Sequence, residues 1–250
     1  MGRLVVPRTS RRVQRGYFLN PFVFGGGASA FVSAISADSP SGWWRLGEAS
    51  TASPCPNIGS VGANASYNGG CTPGQSSLMG DSSDHAVLFD GSSGYLLQAS
   101  GTPMPVYASD FTLEALIKTG PLGAPRGILS YGQGGAYLRV DLDGKLRFVK
   151  SQVADRGTST SALSANTVYL VGVTVSAGGV STFYINGSAS GNGVTASDYG
   201  TAPYGLHIGA DRGSSSPAEY FNGIIDEAMI YPSCLSGARM LAHAQAAGLA

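Results

Sequence analysis

The segment Tyr220–Tyr231, with the sequence YFNGIIDEAMIY, constrains the fold more than any other part of the chain. It is rich in β-branched and aromatic residues and is followed by Pro232, which predicts a β-strand. Its nearly continuous hydrophobicity indicates that both faces of the strand are covered, as in the middle of a sandwich. Asp226 interrupts the apolar run, and strict alternation places it on the face of Ile224, Ala228 and Ile230. Because an unpaired buried charge is costly, we expect Asp226 to be a structural anchor that binds a metal or several donors.

The middle of the chain repeats a pattern of short apolar segments separated by turns. The pairs Asp143-Gly144 and Asn186-Gly187 are strong signals for β-hairpins. The chain has 250 residues, 37 of them glycine and 13 proline, and 43% of its residues are hydrophobic, which is typical of a folded protein with many turns. Many short strands with frequent turns predict a sandwich or jelly roll. After Pro232, Ser236 is a candidate N-cap for a short C-terminal helix. Predicted strands occupy 85–90, 95–97, 111–118, 136–141, 145–149, 168–175, 180–185 and 204–208.

The first 37 residues differ in composition from the rest of the chain. Basic residues precede the first acidic residue, Asp38, and are followed by aromatic residues and a flexible triple glycine, 25–27. Arginine beside aromatic residues is typical of an interface anchor. We therefore divide the chain into an anchoring arm with its linker, 1–37, and a jelly-roll domain, 38–250. Ala28–Ala37 fits a short helix or a strand. The expected anchor residues are Arg3, Arg8, Arg11, Arg12, Arg15, Tyr17, Phe18, Phe22 and Phe24.

A basic arm can contact nucleic acid, an anionic surface or a partner subunit, or it can be a solvated tail. We favour a partner subunit and expect no direct contact with nucleic acid. No stretch approaches the roughly 18 apolar residues that span a membrane, so we expect no membrane association. The apolar segment Tyr17–Phe24 is short and contains Pro21, which makes a poor secretion signal.

The chain has three cysteines, Cys55, Cys71 and Cys234, so at least one of them cannot take part in a disulfide within the chain. Cys55 and Cys71 flank a loop rich in Gly, Asn and Ser, so they are candidates for a disulfide. Cys234 would then remain a free thiol.

The sequence offers no arrangement that we interpret as catalytic. Retaining glycoside hydrolysis needs two carboxyl groups about 5 Å apart. Asp226 and Glu227 are adjacent, and alternation points their side chains to opposite faces of a strand. We therefore expect a protein that is not an enzyme. Loop tyrosines are candidates for sugar binding, with ordinary packing as the alternative for each: Tyr67, Tyr107, Tyr131, Tyr199, Tyr204 and Tyr220.

Four stretches, in the right order, resemble the laminin-G-like, concanavalin-A-like jelly roll. Each motif is weak alone, but their order and spacing over about 38–248 are specific for the fold. They are Trp43–Glu48 (WWRLGE), Ala86–Gly91 (AVLFDG), Phe111–Ala115 (FTLEA) and Phe221–Tyr231 followed by the final helix. The resemblance implies an all-β, two-sheet antiparallel jelly-roll sandwich, here with an extended N-terminal arm and a short C-terminal helix.

The resemblance also implies a calcium ion at the rim of the sandwich in some members. The terminal strand of the family commonly carries an Asp that corresponds to Asp226, and Glu48 and Asp90 are the other acids in matching motifs. The implied calcium ligands are therefore Asp226, Glu48 and Asp90, with backbone oxygens needed to complete the site. The alternative is that Asp226 caps backbone N–H groups and binds no metal.

An arm joined to such a jelly roll resembles bacteriophage virion proteins. We therefore expect a non-enzymatic structural protein of the phage tail or capsid surface, located in the virion. Its partners would be other virion proteins and copies of itself, and adhesion to a host-surface glycan would be a secondary role. The alternative is a secreted bacterial carbohydrate-binding or adhesion module with a Cys55–Cys71 bridge and a cleaved N-terminus.

Overall fold

The computed structural model describes residues 28–81, 83–98, 110–132, 134–151, 154–194, 205–211 and 216–250. The anchoring arm predicted for residues 1–27 lies outside this part of the chain, and so do three of the candidate sugar-binding tyrosines, Tyr107, Tyr199 and Tyr204. Neither helix in the described ranges has the length and apolar character needed to cross a membrane.

The described strands form two antiparallel sheets, which confirms the predicted all-β sandwich. Sheet A has the order β13-β12-β11-β6-β15-β4-β3, with β1 also paired to β15, and sheet B has the order β10-β9-β8-β7-β14-β5-β2. The strands of sheet A are β1 (Gly42–Trp44), β3 (Cys71–Ser76), β4 (His85–Asp90), β6 (Phe111–Thr119), β11 (Val168–Val175), β12 (Ser181–Ile185), β13 (Ser188–Asn192) and β15 (Asn222–Tyr231). The strands of sheet B are β2 (Ala65–Asn68), β5 (Tyr95–Gln98), β7 (Arg126–Ser130), β8 (Ala136–Val140), β9 (Lys145–Lys150), β10 (Ala154–Ala162) and β14 (Leu206–Ile208).

Strand β15 lies at the centre of sheet A, and its two faces are both covered. One edge pairs with β6, while the other pairs first with β4 and then with β1. Ile225, Ala228 and Ile230 belong to the core between the sheets, whereas Met229 and Tyr231 belong to a second core on the opposite face. The prediction of a strand buried on both sides is therefore confirmed.

A β-bulge in β15 changes the direction of its acidic side chains. Ile225 pairs with Ile117 and Glu227 pairs with Leu116, so Asp226 is the extra residue. Two expectations from strict alternation were wrong. Asp226 does not share the inner face with the core residues that follow it, and Asp226 and Glu227 do not point apart, because one carboxylate oxygen of each lies within 4.8 Å of the other.

Two helices cover the outer face of sheet A. Helix α1 (Ala28–Ala37) contributes Phe31 and Ile35, and helix α2 (Gly237–Ala246) contributes Met240 and Ala244, to the second apolar core. The side chain of Ser236 accepts a hydrogen bond from the backbone N–H of Arg239, so the predicted C-terminal helix and its N-cap are confirmed. The apolar residues of both helices pack on strands of sheet A, and neither described helix contributes to a cover over sheet B.

The three cysteines are free thiols in this structure, so the candidate Cys55–Cys71 disulfide is not formed in it. Cys55 pairs through its backbone with Ala65 at the edge of sheet B. Cys71 pairs with Phe89 in sheet A. The two cysteines therefore belong to backbone pairings in different sheets. Cys234, predicted to be free, is half-buried after β15.

Candidate functional site

Three carboxylates meet on the outer face of sheet A. The bulge places Asp226 and Glu227 side by side, and Asp84 joins them from the loop before β4. One ligand oxygen from each residue lies within 4.8 Å of the other two. Asp226 and Glu227 are fully buried. We call these three residues the acid cluster.

The two oxygens of Asp226 have different surroundings. Oδ2 accepts hydrogen bonds from the backbone N–H of Leu78 at 2.6 Å and from Oγ of Ser77 at 3.0 Å. Oδ1 is buried and has no hydrogen-bond partner. Oδ2 therefore caps backbone and hydroxyl donors of a loop, which is the capping role expected for Asp226 as the alternative to metal binding. Oδ1 remains as a free acceptor inside the cluster. A buried acceptor without a partner needs an explanation, and a bound ion is one of the usual ones.

Glu227 is held from two sides. The indole Nε1 of Trp43 donates to Oε2 at 2.6 Å, and Nε of Arg45 donates to Oε1 at 3.0 Å. The guanidinium of Arg45 also donates to Asp84 through Nη2. Arg45 therefore bridges two of the three carboxylates.

Burial makes Asp226 and Glu227 hold protons more tightly than exposed carboxyl groups do. Burial raises the pKa of Asp226 to about 7, with a smaller contribution from the charge of Asp84. Burial likewise raises the pKa of Glu227 to about 8, although Arg45 and Trp43 act in the opposite direction. A divalent cation would relieve this cost, since it stabilises the ionised carboxylates.

The donor set and the access to the acid cluster fit a hard metal ion such as Ca²⁺. Carboxylate oxygens are the ligands that this ion prefers, and the free Oδ1 of Asp226 is one of them. A cavity of about 360 Å³ extends to Asp84 and is also lined by Ser77, Asp81 and His85. The cluster could therefore hold a metal ion that enters through this cavity.

Of the ligands implied by the resemblance, only Asp226 lies in the acid cluster. Asp90 instead accepts hydrogen bonds from the backbone N–H groups of residues 92–94 and closes that turn. Glu48 accepts a hydrogen bond from the hydroxyl of Tyr67 at 2.5 Å. Sequence reasoning missed Asp84 and Glu227 as partners of Asp226, because a loop position and a bulge leave no periodic signal.

The outer face of sheet B carries a polar cleft of about 260 Å³. Tyr137, Arg139 and Val149 alternate with core residues and therefore point outward into it. Glu219 accepts hydrogen bonds from the hydroxyl of Tyr137 at 2.6 Å and from Nη1 of Arg139 at 2.9 Å. Asp155 and Asp211 complete the polar lining. These residues are the second candidate site, which we call the sheet B cleft.

Aromatic rings lie on the same outer face of sheet B. Tyr95 stacks on His207 with ring centroids 5.5 Å apart, and its ring lies 6.3 Å from that of Tyr220. Tyr220 is thus a predicted sugar-binding tyrosine that the structure places on an outer face. Tyr131 is buried in the main core and Tyr67 packs against it, so neither belongs to this face.

Two antiparallel sheets packed face to face, with two helices on one outer face and a polar cleft on the other, define a jelly-roll sandwich of the lectin type. The match to known families agrees with this class. Residues 89–239 match the concanavalin A-like lectin/glucanases superfamily, and the chain belongs to this family. No curated protein sequence matches the chain significantly.

Similar solved structures include binding domains of toxins. The botulinum neurotoxin serotype D binding domain has a TM-score of 0.61 and 12% identity, over 83% of this chain and 52% of that chain. The binding domain of Paraclostridial Mosquitocidal Protein 1 has a TM-score of 0.61 and 15% identity, over 82% of this chain and 51% of that chain. The binding domain of botulinum neurotoxin DC, solved in complex with SialylT, has a TM-score of 0.59 and 11% identity, over 84% of this chain and 52% of that chain. The chain therefore spans about half the length of these neighbours, and at such identities the likeness concerns the fold alone.

Proposed function

We propose that the protein is a carbohydrate-binding module that holds a glycan in the sheet B cleft. The observation that carries the proposal is the difference between the two outer faces. Helices α1 and α2 cover the outer face of sheet A, whereas the outer face of sheet B bears a polar cleft beside aromatic rings. A toxin binding domain of similar fold was solved in complex with SialylT, which supports a glycan as the ligand class.

The chemistry of the cleft suits the recognition of sugar hydroxyl groups. Carboxylate and tyrosine oxygens can accept their hydrogen bonds, and the half-buried Tyr95 and Tyr220 offer ring surfaces to the apolar face of a sugar. The cleft carboxylates already have partners: Glu219 is bound by Arg139, Asp155 by Arg147, and Asp211 by Ser130 and Ser151. We propose that the module binds without hydrolysing, since each described carboxylate that lines the sheet B cleft is already held by an arginine or by serine hydroxyl groups and is not free to act as one of a catalytic pair.

A glycan array probed with the full chain tests this proposal. We expect binding to at least one glycan class, and Glu219→Gln should weaken it about tenfold, as expected for the loss of a charge-assisted hydrogen bond. Asp143→Asn, in the exposed turn after β8, is the matched control and should bind as the wild type. If no glycan binds, or if both variants bind as the wild type, the proposal is wrong. Secretion or display at a cell surface is the location that this function suggests.

We also propose that the acid cluster binds Ca²⁺. Thermal unfolding with EDTA and then with millimolar Ca²⁺ checks this, because a ligand that binds only the folded state raises the melting temperature. The increase should disappear in Asp226→Asn and persist in Asp143→Asn. No increase in the wild type would contradict the calcium site.

A second candidate function is attachment to a virion. The arginine and aromatic residues that precede Gly25 have the composition of an interface anchor, and this feature motivates the role. Under this proposal the protein is a structural component of a phage tail or capsid surface, bound to other virion proteins and to copies of itself. Deletion of residues 1–24 should abolish self-association measured by light scattering. If the shortened chain associates as the full chain does, the anchoring role is wrong.

A further inference from the structure

We infer that Arg45 is a built-in competitor for the cation site, whose guanidinium occupies the place where a divalent cation would contact Asp84 and Glu227. The inference rests on the proposed cation site in the acid cluster and adds an internal residue that sets its affinity. Arg45 follows β1, and its side chain reaches the cluster from the solvent side.

The hydrogen bonds of Arg45 place it between two of the three candidate ligands. Its Nε donates to Oε1 of Glu227 at 3.0 Å, and its Nη2 donates to Asp84. Asp226 differs from both, because its hydrogen bonds come from the loop at Ser77 and Leu78 and its Oδ1 has no partner. A cation entering the cluster therefore meets one free ligand oxygen and two carboxylates already bound to a guanidinium.

The side chain of Arg45 can move, whereas the other groups around Glu227 are fixed. It is 30% exposed, while Glu227 is fully buried. Trp43, the second donor to Glu227, is only 4% exposed and belongs to the paired strand β1. A long cationic side chain at the edge of the site can release its two carboxylates and extend into water at small cost.

The charges of the cluster also favour competition. Once its three carboxylates are ionised, as binding of a cation requires, the cluster carries more negative charge than one guanidinium can neutralise, and a divalent cation would offset the excess. Arg45 lies in contact with two of the carboxylates, so its positive charge repels an arriving cation. Its hydrogen bonds also occupy acceptor sites of these carboxylates that the cation would need. Without Arg45, the attraction of the three carboxylates for the cation would be stronger.

The route for the cation does not pass through Arg45. The cavity that reaches Asp84 is lined by Gly74, Ser76, Ser77, Gly80, Asp81 and His85. A cation can therefore approach Asp84 from this side while Arg45 leaves towards the solvent.

Calcium titration of the full chain by isothermal calorimetry tests the inference, with tryptophan fluorescence as a second readout because Trp43 donates to Glu227. We expect Arg45→Met to bind Ca²⁺ at least tenfold more tightly than the wild type, and Arg45→Lys, which keeps the charge, to remain close to it. Arg147→Met, which removes an arginine of sheet B bound to Asp141 and Asp155, is the matched control and should leave the affinity unchanged.

The outcomes separate this inference from the proposed cation site. If the wild type binds Ca²⁺ and Arg45→Met binds with equal or lower affinity, then Arg45 orients the carboxylates instead of competing, and the inference is overturned while the site stands. If neither binds, the site itself is wrong and the inference falls with it. If Arg45→Met does not fold, Arg45→Gln is titrated instead, with the same expected increase in affinity.

Discussion

Replacing His243 by glutamine is expected to destabilise the protein strongly near pH 6 and much less at alkaline pH. His243 belongs to α2 and is fully buried, with Nδ1 2.9 Å from Oε2 of Glu114 and Nε2 2.8 Å from Oδ2 of Asp38. Tyr231 stacks on its ring with centroids 5.8 Å apart and donates to Glu114, while Arg239 donates to Asp38. An imidazole between two carboxylates can satisfy both only when both ring nitrogens carry a proton.

The electrostatics of this network set the direction of the pH dependence. Burial alone would lower the pKa of His243, but the hydrogen bonds and charges of Glu114 and Asp38 raise it above its ordinary value. A group whose pKa is raised on folding contributes stability that is fully present below its unfolded pKa of about 6.5 and is lost as the pH rises through its folded value. The stability contributed by His243 should therefore decline from about pH 6.5 upwards.

The expected magnitude follows from the two hydrogen bonds. Each joins charged groups, and such bonds contribute about 1.5–3 kcal/mol, while removing one partner of a buried ion pair costs about 3–5 kcal/mol. We expect His243→Gln to lower the free energy of unfolding by about 3 kcal/mol near pH 6, or roughly 6–12 °C in melting temperature for a chain of this size. The loss should shrink by at least half at alkaline pH, where the wild type has also lost the proton.

Urea unfolding in EDTA gives the free energy of unfolding of the wild type and of His243→Gln from about pH 5.5 to 9.5. Subtracting one pH profile from the other cancels the contribution of every group that titrates in the same way in both proteins. Asp143→Asn, in the exposed turn after β8, is the control and should follow the wild type at every pH in this range. If the curves of the wild type and His243→Gln stay parallel across this range, the imidazole is not doubly protonated in the folded state and the reasoning is refuted.

The acid cluster should couple stability to pH and calcium: burial raises the pKa of Asp226 to about 7 and that of Glu227 to about 8, so stability in EDTA should fall as the pH rises from about 4 to 8. Urea unfolding at several pH values checks this expectation. Added Ca²⁺ should reduce the loss of stability, and a free energy of unfolding that stays constant from about pH 4 to 8 in EDTA would contradict it. Trp43→Phe removes the indole donor to Glu227 and should cost about 1–3 kcal/mol by the same assay, whereas a neutral result would mean that the contact is not needed. Gly223→Ala should lower the melting temperature clearly, because φ is 140° there and an added Cβ would lie 2.2 Å from a main-chain oxygen. Gly178→Ala should be nearly neutral, because the nearest atom to its added Cβ is a side-chain oxygen 3.9 Å away.

The position of β15 could be predicted from the sequence, but the direction of its acidic side chains could not. Composition and Pro232 are local signals, and they identified the strand, its burial and the special role of Asp226. The bulge depends on how β15 pairs with β6, which is set by the packing of distant residues. Once one residue is added to the alternation, Glu227 moves next to Asp226, and Asp84 can reach both from a loop that carries no periodic pattern.

The secondary structure of α1 also could not be predicted from the sequence alone. Its sequence, ASAFVSAISA, is small and apolar and fits either a helix or a strand. The structure resolves the choice through tertiary contacts, because a helix places Phe31 and Ile35 four residues apart on one face, where both are fully buried against sheet A. The anchoring role of residues 1–27 stays a prediction.

The cover over sheet A gives a physical reason for the different roles that we propose for the two candidate sites. Beneath and beside that cover, polar residues are paired inside the fold: Glu114, Asp38 and His243 hold α2, and Trp43 and Arg45 hold Glu227. Removing such pairs should change stability, pH dependence or calcium affinity. The sheet B cleft instead includes carboxylates that reach the surface, since Glu219 and Asp155 are 29% and 59% exposed. A glycan can contact these groups without displacing a helix, so glycan binding and calcium binding should be separable by single substitutions on the two sheets.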